Sequence, residues 1–338
     1  MEPLTWVSLC LQLAALCCAV GALLLYLLRK GRVADRDPVE SAKTVLVTSL
    51  DTALGLQIAT YLSAKGWRVL GGCKSDGLGR RLAESWIKDT EAPAPRLNTL
   101  ELDVAREDLL EEAARATAQH LPAGEHGIWA VINTAGCSVR GGAARWESAL
   151  RGNVLGALRV ARAFSPLLAA AAQDHPHAGR LFYIGLTSDT ACESLSRDTT
   201  GVESEEVSAG AAAARWGVWG AAHSLRSSLR GRNVHVVLLH SPDLNSNEIY
   251  APPVQLTTPS QPASRPDTPT SETGTVTGSC SVTMPGEAAE YSAKVLPTSA
   301  LKVLEEALVT PSPRDSYYLK TKQDSWFTRI PSFRMTIH

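Results

Sequence analysis

The sequence predicts an α/β protein, a doubly wound parallel sheet preceded by an N-terminal transmembrane helix. Three observations predict it. From about residue 43 to residue 240, apolar runs of four to six residues alternate with longer helical patterns. Runs that short and that continuously apolar suit strands buried on both faces, and their alternation with helices suits βαβ units. Residues 4–28 form a separate apolar stretch, broken only by Thr5, Ser8 and Gln12 and free of charge. Finally, 338 residues with 44% hydrophobic and 20% charged content suit one large α/β domain with appendages.

Taken in order, residues 1–30 are expected to be a signal anchor. At a rise of ~1.5 Å per residue the apolar stretch spans a hydrocarbon core of ~30 Å. Glu2 precedes it, whereas a cleaved signal peptide starts basic. Arg29, Lys30 and Arg32 follow it and are expected to keep the bulk of the chain in the cytosol, with the endoplasmic reticulum as the expected membrane. Residues 31–42 read as a polar linker and residues 43–244 as the sheet domain. Strands are expected at 44–48, 67–72, 97–102, 128–132, 180–184 and 234–239. Helices are expected at 55–65, 106–119, 146–171 and 208–230. Residues 245–285 are dominated by Ser, Thr, Pro and Gly, and such a segment buries too little apolar surface to offset its ordering entropy. A disordered loop is expected there. Residues 286–338 return to the domain with a helix at 298–308 and a last strand at 316–319.

Composition excludes some functions. A formal net charge of −1 offers no bulk attraction to nucleic acid. The seven cysteines are odd in number and lack metal-ligand spacing, so no metal site and no disulfide framework are expected.

The chemistry-bearing segments lie around the strand ends. The turn after the first strand reads Thr48-Ser49-Leu50-Asp51-Thr52-Ala53-Leu54-Gly55. Asn133-Thr134-Ala135-Gly136 ends the fourth strand, Leu102-Asp103-Val104 ends the third, and Gly71-Gly72-Cys73-Lys74 ends the second. Asn153 lies in Arg151-Gly152-Asn153-Val154, and Pro242-Asp243 follows the sixth strand. In this order and spacing the segments resemble the short-chain dehydrogenase/reductase family, most closely its membrane-anchored retinol and 17β-hydroxysteroid dehydrogenase branch. The resemblance implies a Rossmann-type fold and NAD or NADP as cofactor. It implies that the 48–55 turn meets the pyrophosphate, that Asp103 meets the adenine, that Asn133, Ala135 and Gly136 flank the cofactor, and that Asn153 is the retained helix-bending catalytic residue.

The same resemblance exposes departures. Of the turn's glycines only Gly55 remains, with Ser49 and Ala53 in place of the others; each adds a Cβ where phosphate needs room. The family's reaction needs a Tyr-x-x-x-Lys pair. No lysine occurs between Asp89 and Ala293, and no tyrosine between Tyr183 and Tyr250. Alignment on Leu225-Arg226 puts Ala211 at the Tyr position and Arg215 at the Lys position, and Leu186 falls at the carbonyl-polarising Ser. Alanine has no proton to give, and an arginine fork differs from lysine in geometry and basicity. Thr187 or Ser188 could orient a carbonyl after a one-residue slip. Asp51 is expected to cap the following helix, and Trp216 and Trp219 to pack a helix face. Tyr26-Lys30 and Tyr318-Lys322 match the pair's spacing by chance. The expectation is a catalytically impaired pseudo-oxidoreductase acting as scaffold or regulator, with dinucleotide binding weakened or lost. Its partners would be the membrane, a lipid-like small molecule and a second copy through the long helices. The alternative is an active steroid or retinoid dehydrogenase using other acid/base residues.

Overall fold

The structure is a computed structural model, and it describes residues 20–21, 43–75, 77, 79, 81–82, 97–137, 146–188, 202–256 and 290–321. The chain divides into two units, residues 1–42 and 43–338. Within the first, Val20 and Gly21 are helical. The remainder of the expected anchor and its linker lies outside the described residues.

The second unit is built on a seven-stranded sheet in the order β3-β2-β1-β4-β5-β6-β9. Its strands are β1 (Thr44–Val47), β2 (Arg68–Cys73), β3 (Leu97–Glu101), β4 (Ala130–Asn133), β5 (Arg180–Thr187), β6 (His235–Ser241) and β9 (Ser316–Tyr318). All six pairings in this sheet are parallel. Connecting helices are α1 (Ala53–Ala64), α2 (Glu107–Gln119), α3 (Trp146–Ala149), α4 (Gly156–Asp174), α5 (Val202–Leu229), α6 (Ser246–Ile249) and α7 (Thr298–Val309), with a π-helical turn, Leu150–Leu155, between α3 and α4.

Strand alternation splits the apolar residues into two cores. Val45, Val47, Ile132, Phe182, Val237 and Leu239 face a cluster that contains Leu54, Ile58 and Leu62 of α1 and Leu301, Leu304 and Leu308 of α7. Leu46, Val131, Leu181, Val236 and Leu238 join Leu110 of α2, Val160, Phe164 and Leu168 of α4, and Val218 and Ala222 of α5. Each central strand is covered on both sides, which is why its sequence reads as an unbroken apolar run. The helix from Trp146 to Asp174 is long and apolar enough by composition to cross a membrane. Its Val160, Phe164 and Leu168 are buried in the domain core.

One joint ties the start of β5 to the end of α7. The buried Arg180 guanidinium at the start of β5 donates to the carbonyls of Leu308 and Thr310, capping the C-terminus of α7. Trp129 donates to the same Leu308 carbonyl at 2.8 Å. Burial pushes the Arg180 pKa down to about 10.

Order continues past Asn245, where the sequence led us to expect a loop without regular structure. The Asn245 side chain accepts from the Glu248 N–H at 3.0 Å, and the Glu248 carboxylate accepts from the Asn245 N–H at 2.7 Å. This capping box starts α6 and carries Ile249 into the core, fully buried. After it β7 (Val254–Leu256) pairs antiparallel with β8 (Glu290–Ser292). Two reciprocal side-chain bonds and one buried isoleucine outweigh a Ser/Thr/Pro-rich composition over this stretch. The rest of the expected loop, residues 257–285, lies outside the described residues.

Candidate functional site

Strand order reverses between β1 and β4, and in open α/β sheets ligands bind in the crevice beyond the strand ends at such a point. The β1 end is tied to the β4 end by one hydroxyl. Thr48 Oγ1 donates to Asn133 Oδ1 at 2.8 Å and accepts from the N–H groups of Thr134 and Ala135, each at 3.1 Å. One donor and two acceptor sites are all a hydroxyl has, so Thr48 is saturated.

The turn that follows closes on itself. Thr52, in an extended conformation, is the N-cap of α1 and accepts from the Gly55 N–H at 3.1 Å. This corrects the expectation for Asp51, whose carboxylate accepts the Ser49 hydroxyl instead. Asp51 stands one residue too early for the cap, and the Thr52 hydroxyl is the one that reaches the helix. A Cβ on Gly55 would lie 1.7 Å from the Ser49 carbonyl oxygen, which explains the one glycine that remains. Leu50 is fully buried, and a Cβ on Gly71 would lie 2.3 Å from its Cδ1. Ala53 and Leu54 are buried as well.

Asn153 sits in the π-helical turn and is 3% exposed. Its Oδ1 accepts from the Cys137 N–H at 2.8 Å and its Nδ2 donates to the Cys137 carbonyl at 3.0 Å, tying the helix to the segment that follows β4. Asp103 accepts from the Ala105 N–H at 2.9 Å at the end of β3.

The replaced positions gather beside β5. Ala211 and Arg215 both lie on α5. Arg215 is 2% exposed; its Nη1 donates to the Ile184 carbonyl at 3.3 Å, and its Nε is buried without an acceptor. The pairing of β5 with β6 slips between Ile184 and Thr187, at the place of the expected serine. There the Leu186 N–H donates to Nδ1 of buried His240 at 2.9 Å, and a Cβ on Gly185 would lie 2.6 Å from the same nitrogen. Burial, reinforced by the Arg226 charge, holds the His240 pKa below the usual histidine value. A ring nitrogen that accepts from an amide is unprotonated, which agrees. Thr187 is buried, and the Ser188 N–H donates to the Leu244 carbonyl at 2.8 Å. Trp216 does not pack as expected: it is 49% exposed and meets Trp219 edge-on at 5.6 Å.

The sequence reading missed Tyr250. Its ring lies against Gly136, where an added Cβ would come within 2.5 Å of the ring carbons Cε1 and Cζ and of Asn153 Oδ1. The Arg215 guanidinium stands 5.2 Å from the ring centroid. The next residue reaches the turn: the Ala53 N–H donates to the Ala251 carbonyl at 2.7 Å. The capping signature Asn245-x-x-Glu248 was the available signal for this placement. The Thr48–Asn133 tie and Gly55 suit a dinucleotide, but two places that it would occupy hold protein groups. A donor at the start of α1 is already satisfied, and an aromatic ring stands between the Gly136 backbone and the residue at the ribose-holding position.

A parallel sheet ordered 3-2-1-4-5-6, with its switch point between β1 and β4 and the Asn153 π-helical turn beside it, defines a Rossmann-type doubly wound fold. Residues 43–185 match the family model for short chain dehydrogenases. The D-beta-hydroxybutyrate dehydrogenase of Bos taurus mitochondria is 31% identical over 160 residues, which is 44% of this chain and 45% of that one. The 17-beta-hydroxysteroid dehydrogenase type 6 of Bos taurus is 31% identical over 132 residues, 37% of this chain and 39% of its own. Retinol dehydrogenase 16 of Mus musculus is 30% identical over 132 residues, with the same two shares, 37% and 39%. Each match spans less than half of the relative's length. Among solved structures, a metagenomic short-chain oxidoreductase in complex with NADP aligns with a TM-score of 0.47 and 19% identity, over 62% of this chain and 87% of that one. Over residues 43–185 the chain is similar to the short-chain dehydrogenase/reductase family.

Proposed function

We propose that this chain is a membrane-anchored member of the family whose hydride-transfer machinery is impaired, and that it works as a scaffold or regulator. One observation carries the reading: Ala211 and Leu186 stand where the reaction needs a phenol and a hydroxyl, and neither has a proton to move. Dinucleotide binding is weakened rather than designed out, because the Thr48–Asn133 tie and Gly55 are intact. The apolar stretch 4–28 is the anchor, in the endoplasmic reticulum membrane. A second copy is the partner we assign, through helices α4 and α5, where Leu158 and Trp216 are exposed. The test is turnover. Full-length protein in detergent is given NAD or NADP with retinol, a hydroxysteroid or D-3-hydroxybutyrate, and formation of reduced cofactor is followed. No formation above a protein-free control is expected. Turnover that disappears in Asn153→Ala would overturn the reading.

A second reading has its own observation. Tyr250 brings a phenol beside Arg215 and Asn153, a tyrosine and a cation rebuilt from different segments. It makes the chain an active dehydrogenase of a lipid alcohol and predicts turnover in the native chain that Tyr250→Phe abolishes.

A further inference from the structure

We infer that residues 249–251 are a built-in occupant of the cofactor crevice, and that a dinucleotide binds only after this strap has been displaced. The inference deepens the impaired-oxidoreductase reading, because it concerns how the same crevice is closed. Two independent contacts place the strap. At one end the Ala251 carbonyl accepts from the Ala53 N–H at 2.7 Å, at the first residue of a twelve-residue helix. An N-terminal helix N–H is a donor that attracts an anion, and here a neutral carbonyl has taken it. At the other end the Tyr250 ring fills the space against Gly136 and Asn153, with the Arg215 cation at 5.2 Å.

The strap is held from below as well. Ile249 is fully buried among the residues that line α1 and α7. The Leu244 carbonyl accepts from the Ser188 N–H at 2.8 Å, and the capping box at Asn245 and Glu248 rigidifies the approach. Ile249 acts as an anchor, whereas Tyr250 and Ala251 reach across the gap.

Closure is nevertheless imperfect, and that gives it a release. Arg215 is 2% exposed with its Nε unpartnered. A ring face compensates a buried guanidinium only in part, whereas a carboxylate or phosphate oxygen supplies charge and acceptor together. A ligand with phosphates therefore supplies an acceptor at Arg215, where Nε has none, and a charged acceptor at the helix start in place of the neutral Ala251 carbonyl.

The experiment titrates NADH and NADPH into full-length protein in detergent and into two variants of it, reading bound-cofactor fluorescence. Tyr250→Ala removes the ring and is expected to bind at least tenfold more tightly than the native chain. Tyr250→Phe keeps the ring and is expected to bind within about twofold of it. Equal or weaker binding by Tyr250→Ala overturns the inference. A second measurement needs no variant: 1 mM NADPH is expected to raise amide exchange across residues 246–251 of the native chain. Unchanged exchange there also overturns it. Turnover is recorded in the same samples. A Tyr250→Ala chain that binds tightly and oxidises substrate would uphold the strap while sinking the impaired-enzyme reading, so the two fail separately.

Discussion

Thr48 and Arg215 are both deeply buried and are satisfied to opposite degrees. Thr48 fills its one donor and two acceptor sites with neighbours from β4, at 2.8–3.1 Å. Arg215 is as deeply buried and leaves Nε without an acceptor. Around Thr48 the tie to Asn133 and the close-packed Gly55 are kept, although Ser49 and Ala53 have replaced two glycines of the turn. Around Arg215 the groups that would move protons are replaced by Ala211 and Leu186, and His240 has been recruited to hold the Leu186 amide. The difference teaches that scaffold and chemistry decay separately. A bond that holds two strands together stabilises the fold whether or not a substrate arrives. On the reading proposed above, a catalytic side chain has no such second role and is lost once its reaction is gone.

Mutations should break the molecule on one side of this comparison and spare it on the other. The largest effect is expected from Gly55→Ala, which drives a Cβ to within 1.7 Å of the Ser49 carbonyl oxygen. A loss of about 4 kcal/mol or more, or outright unfolding, should appear in denaturant titration. Thr48→Val comes next. It strands the Thr134 and Ala135 amides and Asn133 Oδ1, and about 2–3 kcal/mol should be lost, read as a lower denaturation midpoint. Arg215→Met should then do almost nothing, or stabilise by about 1 kcal/mol, because it removes a buried, incompletely bonded cation. If Arg215→Met costs as much as Thr48→Val, the two sides do not differ in the way described.

The smallest effect concerns acid. Burial lowers the pKa of His240, with Arg226 adding to it, and burial with Arg180 lowers that of His235. Above the unfolded histidine value of about 6.5 both groups are neutral in either state, and their contribution is fully present. As pH falls below that value the unfolded chain takes up protons that the folded chain refuses, and stability declines. His240→Gln cannot titrate and should flatten the decline between pH 6.5 and 5, as measured by thermal melts across pH; an unchanged slope would remove His240 from the account.

The fold was largely legible because its signals are local. Continuous apolar runs marked the strands at Thr44–Val47, Ala130–Asn133 and His235–Ser241, and the alternation of two cores left no other class. That Ala211 and Arg215 share one helix was legible too, since they are four apart in an Ala-rich helical run. What could not be read was anything that depends on a meeting of distant segments. Tyr250 is 35 residues beyond Arg215 in sequence, and a Ser/Thr/Pro-rich composition hid the capping box that directs it inward. Asp51 and Thr52 are both good helix caps, and the choice between them rests on one residue of offset. His240 gave no signal either, because its role arises from a slip in strand pairing rather than from any motif.

Restoration tests the central claim most directly. Leu186→Ser, Ala211→Tyr and Arg215→Lys are combined in one full-length chain, and hydride transfer from retinol, a hydroxysteroid and D-3-hydroxybutyrate to NAD or NADP is compared with that of the native chain. The account predicts turnover in the restored chain and none in the native one. A native chain that turns over as fast as the restored one would contradict it.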